Sequence, residues 1–555
     1  MKIVVIGGGA CGLKAASRAR RRDEEAEITV IEASRYPSLG RCGLPYYVGG
    51  IVHTVDDLRK TLAGILRDEE YFKKVKNIEI LSETKAERID RKRRIVHIRR
   101  SDGREDEIPY DYLVISTGSR PVKLEIPNAD ADGVVTFSNP EDADKILELW
   151  EEEILKKAVI IGGGLIGMEM AEALSRLDVE VTIVEIMDYV LPTVLDKEMA
   201  LLVEDYLRER GIRIMTSSRV REIVVRDDRV CGIKVNGKEL EAQLILISVG
   251  VRPNVELATE CGLKIGETGA IRVNEYMQTS DERIYAGGDC VENKCLITGR
   301  YVYTPMGSIA NRHGRVIGDN VTGGKSMFPG VLGTTIFKVF DLNIAKTGLT
   351  EKQARDLGYE VISAIVSGPD RSHYYPNQKP IRIKVIADAN TGRILGAQAV
   401  GLGVVDKRID VIATAIQMNA KIEDISNLDL AYAPPYSQAI DTLVHAFNTL
   451  RNKREDMFRT ISSFEVKQKI DRGEDFVILD VREEEEVKKF KRIEDKRVLH
   501  IPLRDLRESV NSIPREKEIV IVCQIGGRSY EAYRFLASKG FNVKVMEGGM
   551  AFWFW

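Results

Sequence analysis

One glycine-centred pattern occurs twice in this chain, and that repetition constrains the fold more than any other feature. "KIVVIGGGACGLKAASRAR" and "KAVIIGGGLIGMEMAEALSRL" each run from an apolar strand through a glycine turn into a helix. Each is followed by a second strand that ends in an acid: "EITVIE" closes on Glu32 and "EVTIVE" on Glu185. Strand, turn, helix, strand and acid together make the dinucleotide-binding fingerprint in full context. Gly7, Gly9 and Gly12 form the first copy, and Gly162, Gly164 and Gly167 the second. Glycine lets the backbone approach a pyrophosphate, and the helix N-terminus favours its charge. The terminal glutamate accepts hydrogen bonds from a ribose diol. Glu185 would repel a 2′-phosphate, and neither Ile186 nor Met187 offers an arginine clamp, so NADH is expected over NADPH.

At 555 residues the chain is too long for one core, and three or four domains are expected. A formal net charge of −3 gives no reason to expect nucleic acid as a partner. No apolar run is long enough to span a bilayer, and the chain enters a strand at once, with no room for a signal peptide. Seven scattered cysteines fit a reducing cytoplasm better than a disulfide framework. No metal site emerges, because the histidines do not cluster with cysteines or carboxylates at ligand spacing.

Three further apolar strands end in glycine: "YLVISTGSRP", "LILISVGVRPN" and "RIYAGGDC". They place Thr117, Gly118, Gly250 and Asp289 at strand ends, the last where a carboxylate can meet a ribityl chain. In combination with the two fingerprints, these segments resemble the flavoproteins of the pyridine nucleotide-disulfide oxidoreductase family, over roughly residues 1–448. The resemblance implies FAD on the first copy and a nicotinamide on the second. It implies an FAD-binding domain over 1–115 and 255–328, an NAD-binding domain over 116–254, and an α+β dimerisation domain over 329–450. Past Pro329 the pattern does change, to alternating strands with an Asn-Thr-Gly turn and then a helical stretch, "DKRIDVIATAIQMNAKIEDI".

"RNKREDMF" reads as a charged linker that opens a separate unit over 456–555. That unit alternates strands, glycine loops and helices. Its "DVR" strand end, "HIPL", and the loop from Cys523 to Arg528 resemble a rhodanese domain. Cys523 follows a strand and precedes glycines and a helix, where backbone N–H groups, the helix terminus and Arg528 are expected to favour the thiolate. Arg528 lies five residues after Cys523, one fewer than in cysteine-based phosphatases, and the smaller ring suits a persulfide sulfur better than a phosphate. The alternative is a rhodanese fold retained only for docking.

Cys42, in "SLGRCGLPYY", has no second cysteine close enough to close a ring. A lone redox cysteine cycles through a sulfenic acid or through a mixed disulfide with a substrate thiol. The sulfenic route belongs to peroxidases and oxidases of the family that carry a histidine in the first glycine motif. Here that place holds Ala10 and Cys11, which favours the mixed disulfide. "CGLPYYVGG" resembles the active-site segment of coenzyme A-disulfide reductases. Lys14, Arg18 and Arg21 share one helix face. The bland reading is a solvated charged face, whereas the resemblance implies coenzyme A phosphates along it, with Ser38, Arg41 and Lys76 nearby. It also implies that Tyr374 and Tyr432, with Tyr436 as a further candidate, are donated across a homodimer. Ile440 departs from the lysine that some relatives carry at that place. Cys11, Cys231 and Cys261 read as small packing residues, and Cys290 and Cys295 are near enough in sequence to pair.

The fusion of a sulfur-transfer module to a single-cysteine flavin reductase resembles the coenzyme A-disulfide reductase–rhodanese fusions. The implied activity is an NADH-dependent persulfide or polysulfide reductase. Cys42 would form a mixed disulfide with coenzyme A, Cys523 would accept and donate sulfane sulfur, and Tyr374 or Tyr432 would protonate or orient the leaving thiolate. Three alternatives stay open: a coenzyme A-disulfide reductase for thiol homeostasis, a non-catalytic redox sensor or sulfur carrier, and an NADH oxidase.

Overall fold

A computed structural model describes residues 1–555 as two units. The first comprises Met1–Asp188 and Arg210–Val331, and the second Tyr189–Glu209 and Leu332–Trp555. In the first unit the doubled pattern becomes two parallel five-stranded sheets of matching layout. One is ordered Ile284–Ala286, Tyr112–Ile115, Lys2–Ile6, Glu27–Ile31, Glu79–Leu81; the other Arg213–Met215, Glu180–Val184, Lys157–Ile161, Leu244–Ile247, Val134–Val135. The registers repeat as well, with Lys2 beside Glu27 in one and Lys157 beside Glu180 in the other. Each sheet has its own antiparallel three-stranded companion, Thr84–Pro109 and Val220–Glu241. The "GSRP" and "GVRP" strand ends pair with each other, Ser119–Pro121 antiparallel to Val251–Pro253.

The second unit holds an antiparallel sheet ordered Thr335–Val339, Leu342–Gly348, Ile394–Gly401, Pro380–Asp388, Val361–Pro369. The Asn-Thr-Gly turn joins two of its strands, as the alternation suggested. The stretch read as one helix after Gly401 is two, Asp406–Gln417 and Ile422–Ser426, because Asn419 takes a left-handed φ of 56° and breaks the first. Tyr189–Glu209, in the middle of the stretch assigned to the NAD-binding domain, groups with this unit. Its anchor is Lys384, a fully buried lysine ringed by the carboxylates of Asp196 (2.9 Å), Glu198 and Glu351 (2.8 Å). Burial opposes ionisation of both partners, but the ammonium prevails and holds Glu351 down at about 2. The three carboxylates converge as a metal site would, and the ammonium takes the place of the cation.

The C-terminal sheet is parallel, ordered Thr460–Ile461, Val543–Met546, Glu518–Val522, Phe476–Asp480, Val498–His500. Both faces are covered. Ile519 and Ile521 face one core, while Val520 and Val522 face another, so the strand reads as a continuous apolar run. The charged linker is not a free tether. Its first half, Arg451–Arg454, is the last turn of the helix Thr442–Arg454. Lys453 in that turn donates to Glu547 at 2.6 Å and to the carbonyl of Ser363 at 2.6 Å, and Glu547 also accepts the N–H of Ile365. Arginine and lysine are good helix formers, and the apolar face of Leu443, Phe447 and Leu450 carries the helix into the charged run. No helix of the chain is long and apolar enough to cross a membrane.

Candidate functional site

The two fingerprint turns are built alike. Gly7 has φ 107°, and a Cβ there would sit 2.2 Å from the Ser116 carbonyl oxygen; Gly162 has φ 107° and the same conflict with Ser248. Gly12 and Gly167 face the carbonyls of Gly7 and Gly162 so closely that only glycine fits. At Gly9 and Gly164, however, a Cβ would meet no protein atom within 4 Å. Nothing in the chain's own packing demands glycine at these two helix starts, so they fit the close approach of a pyrophosphate. Glu32 accepts the Gly8 N–H (2.6 Å) and the Ser34 hydroxyl (2.7 Å), and Glu185 accepts the N–H groups of Gly163 (2.7 Å) and Met187 (2.9 Å). Both acids stand at their turns, and Ile186 and Met187 beside Glu185 are exposed and uncharged. The residues therefore fit FAD on the first turn and NADH on the second.

Gly118 and Gly250 both hold positive φ at their strand ends, and the Thr117 hydroxyl is spent on the Asn254 carbonyl at 2.7 Å. Asp289 accepts from the Ser119 hydroxyl at 3.3 Å; burial raises its pKa, against the pull of Ser119 and Arg41.

Cys42 lies in a single 3-10 turn, Arg41–Gly43, that leads directly into the short helix Leu44–Val48. A Cβ on Gly43 would strike Leu58 at 2.1 Å, which accounts for the glycine after the cysteine. The segment is hooked to the first turn by Ser38, whose N–H donates to the Gly8 carbonyl at 3.0 Å from a left-handed φ of 64°. The helix after Cys42 packs on the second-fingerprint helix Leu165–Ser175: a Cβ on Gly49 would lie 3.2 Å from Ala173 Cα. The Cys42 thiol reaches solvent but sits among enough protein that desolvation raises its pKa, and the carboxylates of Glu169 and Asp289 raise it further. Glu169, on the second-fingerprint helix, is itself pushed up to about 7, by burial and then by Glu172. Cys42 thus feels the charge of a carboxyl carried on the second-fingerprint helix. Sequence reading missed Glu169, because its role depends on which two helices pack together.

The charged face of the first helix divides. Arg18 is committed to Asp319 at 2.6 Å. Lys14, Arg21 and Lys76 converge instead, and Arg67, which sequence reading missed, joins them. Desolvation, followed by the charges of Arg21, Arg67 and Lys14, lowers the pKa of Lys76. Lys76 donates to the Ser17 hydroxyl at 2.9 Å. A half-buried lysine whose charge is opposed by three neighbouring cations makes a site poised for a polyanion.

Tyr374, Tyr432 and Tyr436 are exposed. Their two loops are clamped together by buried Arg408, which pairs with Asp441 (2.7 Å) and donates to the Asp370 carbonyl (2.7 Å), and by the Ser372 hydroxyl on the Ser437 carbonyl. Cys523 follows the strand Glu518–Val522 in the core, 1 % exposed, with its sulfur accepting the Gly526 N–H at 3.1 Å. Gly526 holds φ 106°, which turns that N–H inward. Arg528 makes a two-pronged ion pair with Glu486 (2.5 and 2.7 Å), a partner the sequence reading did not assign. All seven cysteines are free thiols, so Cys290 and Cys295 do not pair.

Comparison with known proteins matches residues 1–311 to the pyridine nucleotide-disulphide oxidoreductase family, residues 334–444 to the dimerisation domain of that family, and residues 463–554 to the rhodanese-like domain. The chain is 40 % identical to an NAD(P)H sulfur oxidoreductase (CoA-dependent) of Pyrococcus abyssi, over 80 % of this chain and 96 % of that protein. It is similar over its full length to the structure of an NAD-dependent persulfide reductase from A. fulgidus, with 56 % identity, all of both chains covered and a TM-score of 0.96. A Bacillus anthracis CoADR-RHD structure matches with 35 % identity, 100 % of this chain, 97 % of that one and a TM-score of 0.92. The chain therefore belongs to the pyridine nucleotide-disulphide oxidoreductase family and carries a C-terminal rhodanese-like domain.

Proposed function

We propose that the protein is an FAD-dependent NADH:persulfide or polysulfide oxidoreductase that works through coenzyme A, as a cytoplasmic homodimer. The observation that carries this reading is Cys42: a solvent-reaching thiol hooked to the first dinucleotide turn, packed against the second, with no cysteine partner. The names of the relatives, sulfur oxidoreductase and persulfide reductase, support it.

FAD on the first turn and NADH on the second, when bound, would supply the electron pair that reduces the Cys42 mixed disulfide. The Cys42 thiolate attacks the coenzyme A sulfur of a persulfide, forming a Cys42–S–S–CoA mixed disulfide and releasing hydrosulfide. The electron pair then breaks that disulfide, restoring the Cys42 thiolate and freeing coenzyme A. Glu169, ionising near pH 7, takes up and returns a proton beside the sulfur. Lys14, Arg21, Lys76 and Arg67 hold the phosphates, with Ser38 and Arg41 beside them and Arg18 steadied by Asp319. Tyr374 or Tyr432, with Tyr436 alongside, orients or protonates the leaving thiolate from the other subunit. Cys523 accepts sulfane sulfur, steadied by the Gly526 N–H, and Arg528 shapes its loop through Glu486.

The test is anaerobic NADH oxidation with polysulfide, with and without coenzyme A, beside coenzyme A disulfide alone. Fast turnover with polysulfide that releases hydrosulfide and depends on coenzyme A is expected. Turnover only with coenzyme A disulfide would move the protein to thiol homeostasis, and steady oxygen consumption would make it an oxidase.

A further inference from the structure

A cleft of about 350 Å³ opens beside the Cys523 loop, with Lys488, Phe490, Lys491, Arg492 and Trp555 among its walls. Two aromatic faces look onto it: Phe490 and Trp555 are each 46 % exposed. Trp555 is firmly mounted, edge-on to Phe464 at 5.4 Å and to buried Trp553 at 5.0 Å. The cations on the rim meet only exposed carboxylates, Lys488 with Glu484 (3.4 Å), Lys491 with Asp205 (3.8 Å) and Arg492 with Glu494 (3.1 Å). Exposed pairs of this kind contribute little, so these charges are free to turn to an anion.

The cleft is tied to the sulfur-bearing loop by one group. Arg482, wholly buried, donates from the same nitrogen to the carbonyl of Lys491 (3.0 Å) and to the side-chain oxygen of Gln524 (3.2 Å), the residue after Cys523. Glu486, on the helix that leads into the cleft wall, holds Arg528 of the same loop. Wall and loop are thus tied to the same buried guanidinium.

We propose that this cleft seats the nucleotide head of the coenzyme A-class thiol that takes sulfur from Cys523. Aromatic faces beside cations are the chemistry that receives a nucleobase and its phosphates. An inorganic sulfur anion would use the charges but not two aromatic walls, nor fill a cleft at the lower end of ligand-pocket sizes. The proposal rests on the persulfide-reductase reading and supplies its loading step. Thiosulfate gives its outer sulfur to the Cys523 thiolate and leaves as sulfite, so Cys523 holds a persulfide. The thiolate of the seated carrier attacks the outer sulfur of that persulfide. A carrier S–S bond forms, the Cys523–S bond breaks, and its electron pair returns Cys523 to the thiolate. The sulfane sulfur keeps its oxidation state, and the carrier's thiol proton goes to solvent.

The full chain with Cys42→Ser, loaded with thiosulfate, separates this step from reduction. Transfer is followed to coenzyme A, to pantetheine, which has the same thiol arm without the nucleotide, and to cyanide. Coenzyme A should outperform pantetheine by about tenfold, and Trp555→Ala or the pair Lys491→Glu/Arg492→Glu should raise KM for coenzyme A by about tenfold, with pantetheine and cyanide unaffected. Equal efficiency of coenzyme A and pantetheine, or variants without effect on that KM, would overturn the proposal. If Trp555→Ala disturbs the aromatic cluster and also slows cyanide, the charge-reversed pair, placed on exposed residues, decides. Reduction of preformed coenzyme A persulfide by the chain with native Cys42 is measured alongside. Its failure would count against the reductase reading, whereas its success with no nucleotide preference at Cys523 would count against the cleft alone.

Discussion

Cys42 and Cys523 each lie between a strand and a helix, yet their surroundings are opposed. Cys42 reaches solvent, yet desolvation and then nearby carboxylates raise its pKa. Cys523 directly follows a buried strand, fitted under a backbone N–H, with the nearby arginine already paired. A thiol whose neighbours discourage ionisation waits for a bound cofactor and substrate to change its field. A sulfur fitted by fixed backbone groups is prepared before anything binds. The first arrangement suits a gated reduction, and the second suits a sulfur relay.

The largest effect expected is a separation of activities. Cys42→Ser should lower NADH-dependent persulfide reduction by about a thousandfold or more while sparing sulfur transfer from thiosulfate; Cys523→Ser should do the reverse when coenzyme A persulfide is supplied. Full reductase activity in Cys42→Ser would break the contrast. Next comes accessibility: alkylation of the native chain with iodoacetamide, mapped by mass, should modify Cys42 at least about tenfold faster than Cys523. Equal rates would mean the Cys523 loop opens freely.

A smaller effect tests the acid beside Cys42. Glu169 ionises near pH 7, so above that pH its charge opposes the Cys42 thiolate. Glu169→Gln should shift the alkylation profile of Cys42 to lower pH and speed reaction at pH 8 by about threefold to tenfold. An unchanged profile would remove Glu169 from the account. The smallest effect concerns Glu486. Its pKa is lowered, first by the hydrogen bond from Arg528, so its contribution to stability is present above the unfolded value of 4.5 and lost as pH falls through the lowered one. Glu486→Gln should cost about 1–2 kcal/mol near neutral pH, and less toward pH 3, by chemical denaturation of the C-terminal unit.

The doubled sheets were legible because glycine, strand and acid recur at fixed spacing, and each has a steric or hydrogen-bonding reason visible at Gly7, Gly12 and Glu32. The expectation of FAD and a nicotinamide nucleotide, implied by the resemblance those residues carry, agrees with the family. What stayed hidden depends on packing between distant segments. Glu169 matters because the helix after Cys42 rests on its helix, and Arg67 because its charge, from outside any motif, acts on Lys76. The helical half of "RNKREDMF" was hidden for a different reason: charge composition suggests solvent, while the helix is carried in from an apolar face upstream.

The contact of Glu547 with Ile365 has a consequence for how the chain behaves in company. Val361–Pro369 is an outer strand of its sheet, and outward N–H and C=O groups on such a strand invite a strand from another molecule. Here the Ile365 N–H is held by a carboxylate, and the Ser363 carbonyl by the ammonium that neutralises it. Through Glu547, the rhodanese-like domain thus caps part of the outer edge of the sheet beside it. A chain cut before Arg459 would keep Lys453 but lose Glu547, present the Ile365 N–H to its neighbours, and be prone to stick to copies of itself.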